Sequence, residues 1–333
     1  MTGDHSVTSS FVPLEAARSA PKSAFGPATI EEIIPVGGGA SGAFPFRAVI
    51  GGRRYLVRVE GTASPLRNPH QYESMRVAAQ SEIAPRVYYV DETRRVAVTD
   101  FIEERPLSLF PGGSHSLARA IGELLSRLQA TQPFPRFVEY PDIVGRLWAW
   151  VCGTGLFAPG VLDPCTERFE QIRSAYVWDS SDSVASHNDL VARNVLFDGK
   201  RLWLIDWESA YRNDPLVDVA IALDSFARVA ELEQSLLRAW LGRSPNDFLM
   251  GRLVQVRALT RFYYAGVFLS SSAAAAGPLG DHDLSAPTVP EFRRAIREGR
   301  FKTGAAATKH VLGKMYLASF LTGTIAPGLS AAA

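Results

Sequence analysis

Residues 186–220 read SHNDLVARNVLFDGKRLWLIDWESAYRNDPLVDVA, and they carry more structural information than any other part of the chain. Two short apolar runs, residues 195–197 and 201–205, are joined by Asp198-Gly199-Lys200. Aspartate and glycine favour turns, and short apolar runs on both sides of such a turn are typical of a β-hairpin. The sequence therefore predicts a hairpin over residues 195–205.

Polar side chains stand at the open end of this hairpin and on the loop before it. Folding the hairpin would bring Asn194, just before the first strand, near Asp206, just after the second. Amide and carboxylate oxygens in small number suit a Mg²⁺ ion that is shared with a nucleotide. Asp189, five residues before Asn194, would lie close to such an ion and could take a proton from a substrate hydroxyl.

The motif HNDL at residues 187–190 with Asn194, followed by IDWE at residues 205–208, resembles the catalytic and metal motifs of the aminoglycoside phosphotransferase and choline kinase superfamily. The NDP motif at residues 213–215 favours its choline, ethanolamine and thiamine kinase-like branch. The resemblance covers roughly residues 29–270. It implies a two-lobed α+β fold like that of the protein kinases, with a small β-rich N-terminal lobe and a larger, mainly helical C-terminal lobe.

The resemblance also implies roles for individual residues. Asp189 would be the catalytic base, and Asn194 and Asp206 would hold Mg²⁺. His187 would brace the loop, and Asp218 would be the buried aspartate that secures it. The implied reaction uses ATP and Mg²⁺ to phosphorylate a hydroxyl of a small molecule, which makes the chain a small-molecule kinase.

A glycine-rich segment, GGGASG at residues 37–42, follows an apparent strand. Its G-x-G-x-x-G arrangement is weak evidence alone, but Arg58 follows it by 16 residues on the partner strand of a second predicted hairpin. Kinase-like proteins place a phosphate-binding cation there, usually lysine and often arginine in choline kinase-like relatives. The alternative is an exposed strand arginine. The residues expected to contact the nucleotide phosphates are Gly37, Gly39, Ser41, Gly42 and Arg58.

Two further parts of the nucleotide site are expected from the same resemblance. Glu73, on the helix predicted over residues 69–81, is the candidate partner that orients Arg58, and Glu82 is its rival. The segment at residues 98–102 resembles the hinge whose backbone meets adenine. The carbonyl of Asp100 and the N–H of Ile102 would then bind the edge of the base.

Local patterns divide the chain into an N-terminal extension with little ordered structure (residues 1–26), a nucleotide-binding lobe (27–103) and a helical catalytic and substrate lobe (104–333). In the first lobe, Gly51-Gly52 predicts the turn of the second hairpin. In the second, a helix is expected after an N-cap at Ser114 or Ser116. Further helices are predicted at residues 142–152, 164–176, 215–241, 246–271 and 289–322.

The acceptor substrate is less clearly encoded. Trp207, Glu208 and Tyr211 are candidates to bind it, because aromatic faces and carboxylates suit a cationic amino alcohol such as choline or ethanolamine. Aromatic residues at helical spacing are also common in protein cores. Ser209 stands where the resemblance would place a tyrosine of the choline site, so choline itself is disfavoured.

Two other functions compete with a metabolite kinase. An aminoglycoside-type antibiotic kinase would need an acidic acceptor cleft, whereas residues 253–333 hold few acids against several arginines and lysines. A pseudokinase that acts as a nucleotide-binding scaffold would not need the complete set of Asp189, Asn194 and Asp206.

Composition narrows the range of possible binding partners and cellular locations. The 333 residues include 35 basic and 34 acidic residues, a formal net charge of +1, so no overall field favours nucleic acid or an anionic membrane. The N-terminus lacks the order of a secretory signal, and no apolar run reaches the length of a membrane span. The two cysteines, Cys152 and Cys165, form no metal motif. A cytoplasmic protein is expected, and no pattern indicates its oligomeric state.

Overall fold

The computed structural model describes residues 8–27, 29–37, 42–61 and 68–324. The N-terminal part contains a five-stranded antiparallel sheet with the strand order β1-β2-β3-β5-β4. One helix, α2, connects β3 to β4. These elements are β1 (Ile30–Pro35), β2 (Phe44–Ile50), β3 (Arg53–Val59), α2 (Gln71–Gln80), β4 (Val87–Asp91) and β5 (Val96–Asp100).

The hairpin of β2 and β3 confirms the prediction made from Gly51-Gly52. Ile50 pairs with Arg53, and the two glycines between them have φ values of 58° and 70°. Positive φ at both central residues is the geometry of a tight two-residue hairpin turn, and glycine adopts it without a steric penalty. The hairpin fixes the register of β3. It therefore fixes the position of Arg58, which lies near the end of β3 that is farther from the turn.

The N-terminal extension is more ordered than predicted. Thr8–Phe25 form a helix, α1, which packs on the sheet and buries Ala17 and Ala20 completely or almost completely. The ring of Phe25 lies 4.5 Å from that of Tyr55 and 5.3 Å from that of Tyr88. Small alanine side chains let the helix approach the strands closely, and this Ser/Pro/Ala composition is what made the segment resemble an unstructured tail.

The C-terminal part is mainly helical, as expected. Its helices are α3 (Gly113–Gln129), α4 (Tyr140–Cys152), α5 (Asp163–Ala175), α6 (Pro215–Phe226), α7 (Ala230–Leu241), α8 (Asp247–Ala276), α9 (Val289–Arg297) and α10 (Ala306–Thr322).

Three details of the helix predictions are wrong. The helix expected over residues 215–241 is broken after α6, where Ala227 leaves helical geometry at φ −131° and ψ 70°. The helix expected over residues 289–322 is also two helices, because Gly299 and Gly304 adopt positive φ between α9 and α10. At the start of α3 the N-cap is Gly112, with no side-chain cap, instead of a serine.

Glycines let the helices of the C-terminal lobe approach each other closely. A Cβ added at Gly266 of α8 would lie 2.8 Å from Leu147 of α4, and one at Gly313 of α10 would lie 2.5 Å from Leu269 of α8. Helix α8 therefore packs closely against α4 and α10, and it also contacts α6. Among the described helices, none combines the length and apolar character needed to cross a membrane.

Two small antiparallel pairs complete the fold beside α6. Strands β6 (Val184–Ser186) and β9 (Tyr211–Asn213) pair with each other, and β7 (Val195–Phe197) pairs with β8 (Leu202–Leu204) in the hairpin predicted from the sequence. The backbone N–H of Leu204 donates to the carbonyl of Ile83 (2.9 Å), and that of Arg105 donates to Phe197 (2.7 Å). These bonds connect the hairpin to the N-terminal lobe and to the segment between the lobes.

The packing of α3 against α7 gives a matched test of the fold. At Gly122 an added Cβ would lie 2.3 Å from the carbonyl oxygen of Leu236, so Gly122→Ala should lower the free energy of unfolding by about 1–3 kcal/mol. Gly251, on the exposed side of α8, has nothing within 4 Å of an added Cβ. Gly251→Ala should raise the free energy of unfolding by about 0.5–1 kcal/mol because alanine favours helix. Denaturant unfolding measures the effect of each substitution, and equal effects would contradict the close packing of α3 against α7.

Candidate active site

The loop at residues 187–194, called here the catalytic loop, lies between the two small strand pairs. It leaves β6 and enters β7, while the chain returns through β8 and β9. The N–H of Ile205 donates to the carbonyl of Asn194 at 3.0 Å, which extends the hairpin ladder by one step. Asn194 and Asp206 therefore stand at the same end of the hairpin, as the sequence predicts.

Asp218, on α6, anchors the start of this loop through hydrogen bonds. Its carboxylate is fully buried and accepts hydrogen bonds from Ser186 Oγ (2.8 Å) and from the backbone N–H groups of His187 and Asn188 (2.7 Å each). Burial raises the pKa of Asp218 overall, although the nearby His187 and these donors oppose the rise. The aspartate thus fixes three consecutive residues at the start of the loop.

Asn188 and His187 connect the loop to the chain around Asp206. Asn188 has a φ of 59°, in the left-handed region that asparagine tolerates better than most residues. Its amide donates to the carbonyls of Ser209 (2.9 Å) and Tyr211 (3.2 Å). His187 is buried, and its Nε2 donates to the carbonyl of Ile205 at 2.9 Å, a contact that fits the bracing role expected for it.

Both carboxylate oxygens of Asp189 are engaged by neighbouring side chains. Asn194 Nδ2 donates to Oδ2 at 2.8 Å, and the hydroxyl of Tyr264 donates to Oδ1 at 2.6 Å. Arg193 lies 3.5 Å from Oδ2. Burial raises the pKa of Asp189, while Arg193 and the Tyr264 hydroxyl oppose the rise.

Tyr264 and Arg193 are site residues that sequence reasoning missed. Tyr264 lies on α8, 75 residues after Asp189, and nothing in the local pattern distinguishes it from the core aromatics beside it. Arg193 stands in the motif itself, one residue before Asn194, so its position was a usable signal.

Asp206 occupies a sharp bend after β8. Its φ of 67° and ψ of 68° are left-handed, and a single 3₁₀ turn, Trp207–Ser209, follows it. Arg58 Nη2 lies 2.7 Å from Asp206 Oδ1, and the guanidinium also lies 3.1 Å from Glu60 and 3.5 Å from Glu208. Burial alone would lower the pKa of Arg58, but Asp206 and Glu60 outweigh it and raise the pKa.

The donor set fits a magnesium ion that is shared with phosphates. Both hydrogen bonds from Asn194 Nδ2 go to Asp189, so the amide oxygen of Asn194 remains an acceptor. With the Asp206 carboxylate it gives two oxygen ligands, and Mg²⁺ commonly takes few protein ligands and keeps waters and phosphate oxygens. Among the described residues no group of three or more His, Cys, Asp or Glu side chains could hold a metal.

The remaining nucleotide-site predictions have mixed outcomes. Gly39 and Ser41 lie outside the described residues, while Gly37 and Gly42 stand exposed on either side of that gap. The carbonyl oxygen of Gly42 lies 2.2 Å from where a Cβ of Gly61 would be, so Gly42 lies close to the chain just after β3.

Neither glutamate proposed as the partner of Arg58 has that role in the structure. Glu73 is exposed on α2, and the ion pairs of Arg58 go instead to Glu60, Asp206 and Glu208. Glu82 pairs with Arg201 at 3.0 Å. The prediction overlooked Glu60, which follows Arg58 by two residues and lies 3.1 Å from its guanidinium.

The predicted hinge lies at the end of β5. The side chain of Asp100 accepts from Arg53 (2.7 Å) and from the Tyr88 hydroxyl (3.0 Å), and its backbone N–H donates to Arg86 (3.0 Å). Ile102 follows in the irregular segment between the lobes. The carbonyl of Asp100 accepts from Thr99 Oγ1 at 3.2 Å. An adenine contact by these two residues stays a prediction.

Two of the three residues predicted to bind the acceptor are core residues. Trp207 is 5% exposed and packs between His187 and Phe134, and Tyr211 is 2% exposed beside Phe137. Tyr211 borders a cavity of only about 20 Å³. Their apolar rings are used for packing, so neither offers a surface to a ligand. Glu208 is partly exposed, and its carboxylate lies 3.5 Å from the guanidinium of Arg58.

Comparison with known proteins gives one family match. Residues 32–253 match the family described as Phosphotransferase enzyme family. A curated relative, Protein LicA of Haemophilus influenzae, is 38% identical over 58 residues, which are 17% of this chain and 22% of that protein. The aligned stretch is therefore about a fifth of the relative's length.

Solved structures resemble most of the chain at low sequence identity. A choline/ethanolamine kinase family protein from Mesorhizobium loti has a TM-score of 0.62 and 24% identity, with 93% of this chain and 100% of that chain covered. A spectinomycin phosphotransferase, solved with ADP and spectinomycin, has a TM-score of 0.51 and 14% identity, with 73% and 84% covered. At these identities the similarity shows a shared fold.

The anchoring role of Asp218 leads to a direct test. In Asp218→Asn the new NH₂ group would replace one acceptor oxygen and face the buried N–H groups of the catalytic loop. Leaving one such donor unsatisfied should lower the free energy of unfolding by about 1–3 kcal/mol. Asp182→Asn, at an exposed carboxylate, is the control and should change nothing. Thermal and denaturant unfolding measure the stability of both variants, and equal stability would contradict the anchoring role.

Proposed function

Because the chain belongs to the Phosphotransferase enzyme family, we propose that it is a kinase that transfers the γ-phosphate of ATP to a hydroxyl of a small molecule. One observation carries this proposal. The carboxylate of Asp189 is held by Asn194 at 2.8 Å, and at the same hairpin end Asp206 lies 2.7 Å from the guanidinium of Arg58. A proton acceptor, two oxygen ligands and a cation are thus grouped within one site.

On the donor side, Arg58 binds phosphate oxygens. Its guanidinium is held at a fixed position by Glu60, so it is oriented before the nucleotide arrives. Asn194 and Asp206 would hold Mg²⁺, which would supply positive charge that neutralises the phosphates. The planar guanidinium of an arginine suits two phosphate oxygens better than the single ammonium of a lysine.

On the acceptor side, Asp189 orients the hydroxyl and accepts its proton. The acceptor oxygen forms a bond to the γ-phosphorus while the bond to the β,γ-bridging oxygen breaks, and ADP leaves with that electron pair. The proton of the hydroxyl passes to the carboxylate of Asp189. The amide of Asn194 and the hydroxyl of Tyr264 keep the carboxylate in position, which favours a single geometry of attack.

The acceptor is a small alcohol, and the amino alcohols suggested by the sequence are the first to test.

Cys152 and Cys165 are both unbridged thiols. Thiols stay reduced in the cytoplasm, where ATP is also available, so the cytoplasm is the proposed compartment.

Two substitutions separate the proposed roles. Asp206→Ala should abolish Mg²⁺-dependent ATP binding, because it removes a metal ligand. Asp189→Asn should leave the affinity for Mg·ATP within about twofold and lower the rate of ADP release with an acceptor by about 10²–10⁴-fold, because it removes only the proton acceptor. Calorimetry measures binding, and a coupled ADP assay measures turnover.

Asp182→Asn is the control for both measurements, since this exposed carboxylate is not in the site. Equal loss of ATP binding in Asp189→Asn and Asp206→Ala would contradict the division of roles. A wild-type protein that binds no Mg·ATP, or binds it without any turnover of alcohols, would favour a scaffold.

A further inference from the structure

The guanidinium of Arg58 contacts two carboxylates through two different nitrogen atoms. Its Nε lies 3.1 Å from Glu60 Oε1, and its Nη2 lies 2.7 Å from Asp206 Oδ1. Glu208 lies 3.5 Å from the same Nη2. Nη2 and the carboxylate of Asp206 are therefore paired with each other, although the proposed function uses the first for phosphate and the second for Mg²⁺.

The ion pair between Arg58 and Asp206 is largely withdrawn from water. The two side chains expose only 20% and 18% of their surface. Charges in such surroundings interact more strongly than charges on the surface, because less water screens them. A divalent cation that approaches Asp206 would therefore be repelled strongly by the guanidinium of Arg58.

The backbone holds both partners of this ion pair in place. On the side of Asp206, the N–H of Ile205 donates to the carbonyl of Asn194 at 3.0 Å, and Trp207 is buried in the core. On the side of Arg58, strand β3 is paired with β2 and with β5. Any exchange of partners must therefore take place through movement of the side chains.

We propose that Arg58 and Mg²⁺ compete for the carboxylate of Asp206, so that Arg58 suppresses the binding of free metal and favours metal that arrives with a nucleotide. This inference rests on the proposed kinase function and adds a second role for Arg58. Phosphate oxygens bind a guanidinium well, so a nucleotide would draw Nη2 away from Asp206 and remove the repulsion. Glu60 would keep its contact with Nε during this exchange.

Competition predicts that one substitution changes the affinities for two ligands in opposite directions. In Arg58→Met the positive charge is lost, so the affinity for free Mn²⁺ should rise by about tenfold or more. The affinity for Mg²⁺ with a non-hydrolysable ATP analogue should fall by about tenfold or more, because the phosphates lose a cation. Arg58→Lys keeps a positive charge, so its affinity for free Mn²⁺ should stay within about threefold of the wild-type value. A residue that only stabilised the fold would lower both affinities when replaced.

Both affinities are measured on the full chain. Electron paramagnetic resonance measures the binding of Mn²⁺ alone, an ion that prefers the same oxygen ligands as Mg²⁺, and calorimetry measures the Mg·nucleotide complex. Combining Arg58→Met with Asp206→Asn should abolish the gain in Mn²⁺ affinity, which assigns that gain to Asp206. Arg58→Gln is a second neutral variant, used if thermal unfolding shows that Arg58→Met does not fold. Arg119→Met is the control, because this exposed arginine on α3 pairs with Glu123, and it should change neither affinity.

Two results would overturn the competition. One is equal affinity of the wild-type protein and the folded neutral variants of Arg58 for free Mn²⁺. The other is a gain in Mn²⁺ affinity that persists when Asp206→Asn is added, because the ion would then bind elsewhere. Both results leave the kinase function standing, since no nucleotide enters this measurement. A wild-type protein that does not bind the Mg·nucleotide complex would instead contradict the kinase function, while a gain in Mn²⁺ affinity that depends on Asp206 would still support the competition.

Discussion

Three hydrogen bonds to one buried carboxylate hold the candidate active site together. Asp218 accepts from Ser186 and from the backbone of His187 and Asn188, and it has no exposure to water. A buried carboxylate is costly unless its oxygens are satisfied, and these donors satisfy them. The same bonds set the direction in which Asp189 leaves the loop. The left-handed geometry at Asn188 follows directly from this anchor, since the amide must then reach Ser209 and Tyr211.

Helix α8 links the proposed base to a second group of charged side chains. Among the described residues, Glu60, Asp206 and Glu208 surround the guanidinium of Arg58, and such an acidic group suits a divalent cation. On α8, Arg257 and Arg261 bind the carboxylate of Asp224, and Tyr264 of the same helix donates to Asp189. The packing of this one helix therefore positions both Tyr264 and the ion pairs of Asp224.

The sequence predicted those parts of the molecule that depend on local chemistry. The turns at Gly51-Gly52 and Asp198-Gly199-Lys200 predicted two hairpins, and the second brings Asn194 and Asp206 to one end. The partner of Arg58 was predicted wrongly, because the choice between Glu60 and Glu73 depends on how α2 packs against the sheet. Tyr264 was missed for a similar reason, since only tertiary packing brings α8 to Asp189. Helix α1 was missed because its alanines pack on a sheet that is formed by residues later in the chain.

A crystal structure with Mg²⁺ and a non-hydrolysable ATP analogue would show whether this site binds the nucleotide and its metal. We expect Mg²⁺ to be bound by the amide oxygen of Asn194 and the carboxylate of Asp206 at about 2.0–2.1 Å, with the guanidinium of Arg58 on the phosphates. The carboxylate of Asp189 should remain within reach of the γ-phosphate. A nucleotide bound elsewhere, or a metal that contacts neither Asn194 nor Asp206, would contradict it.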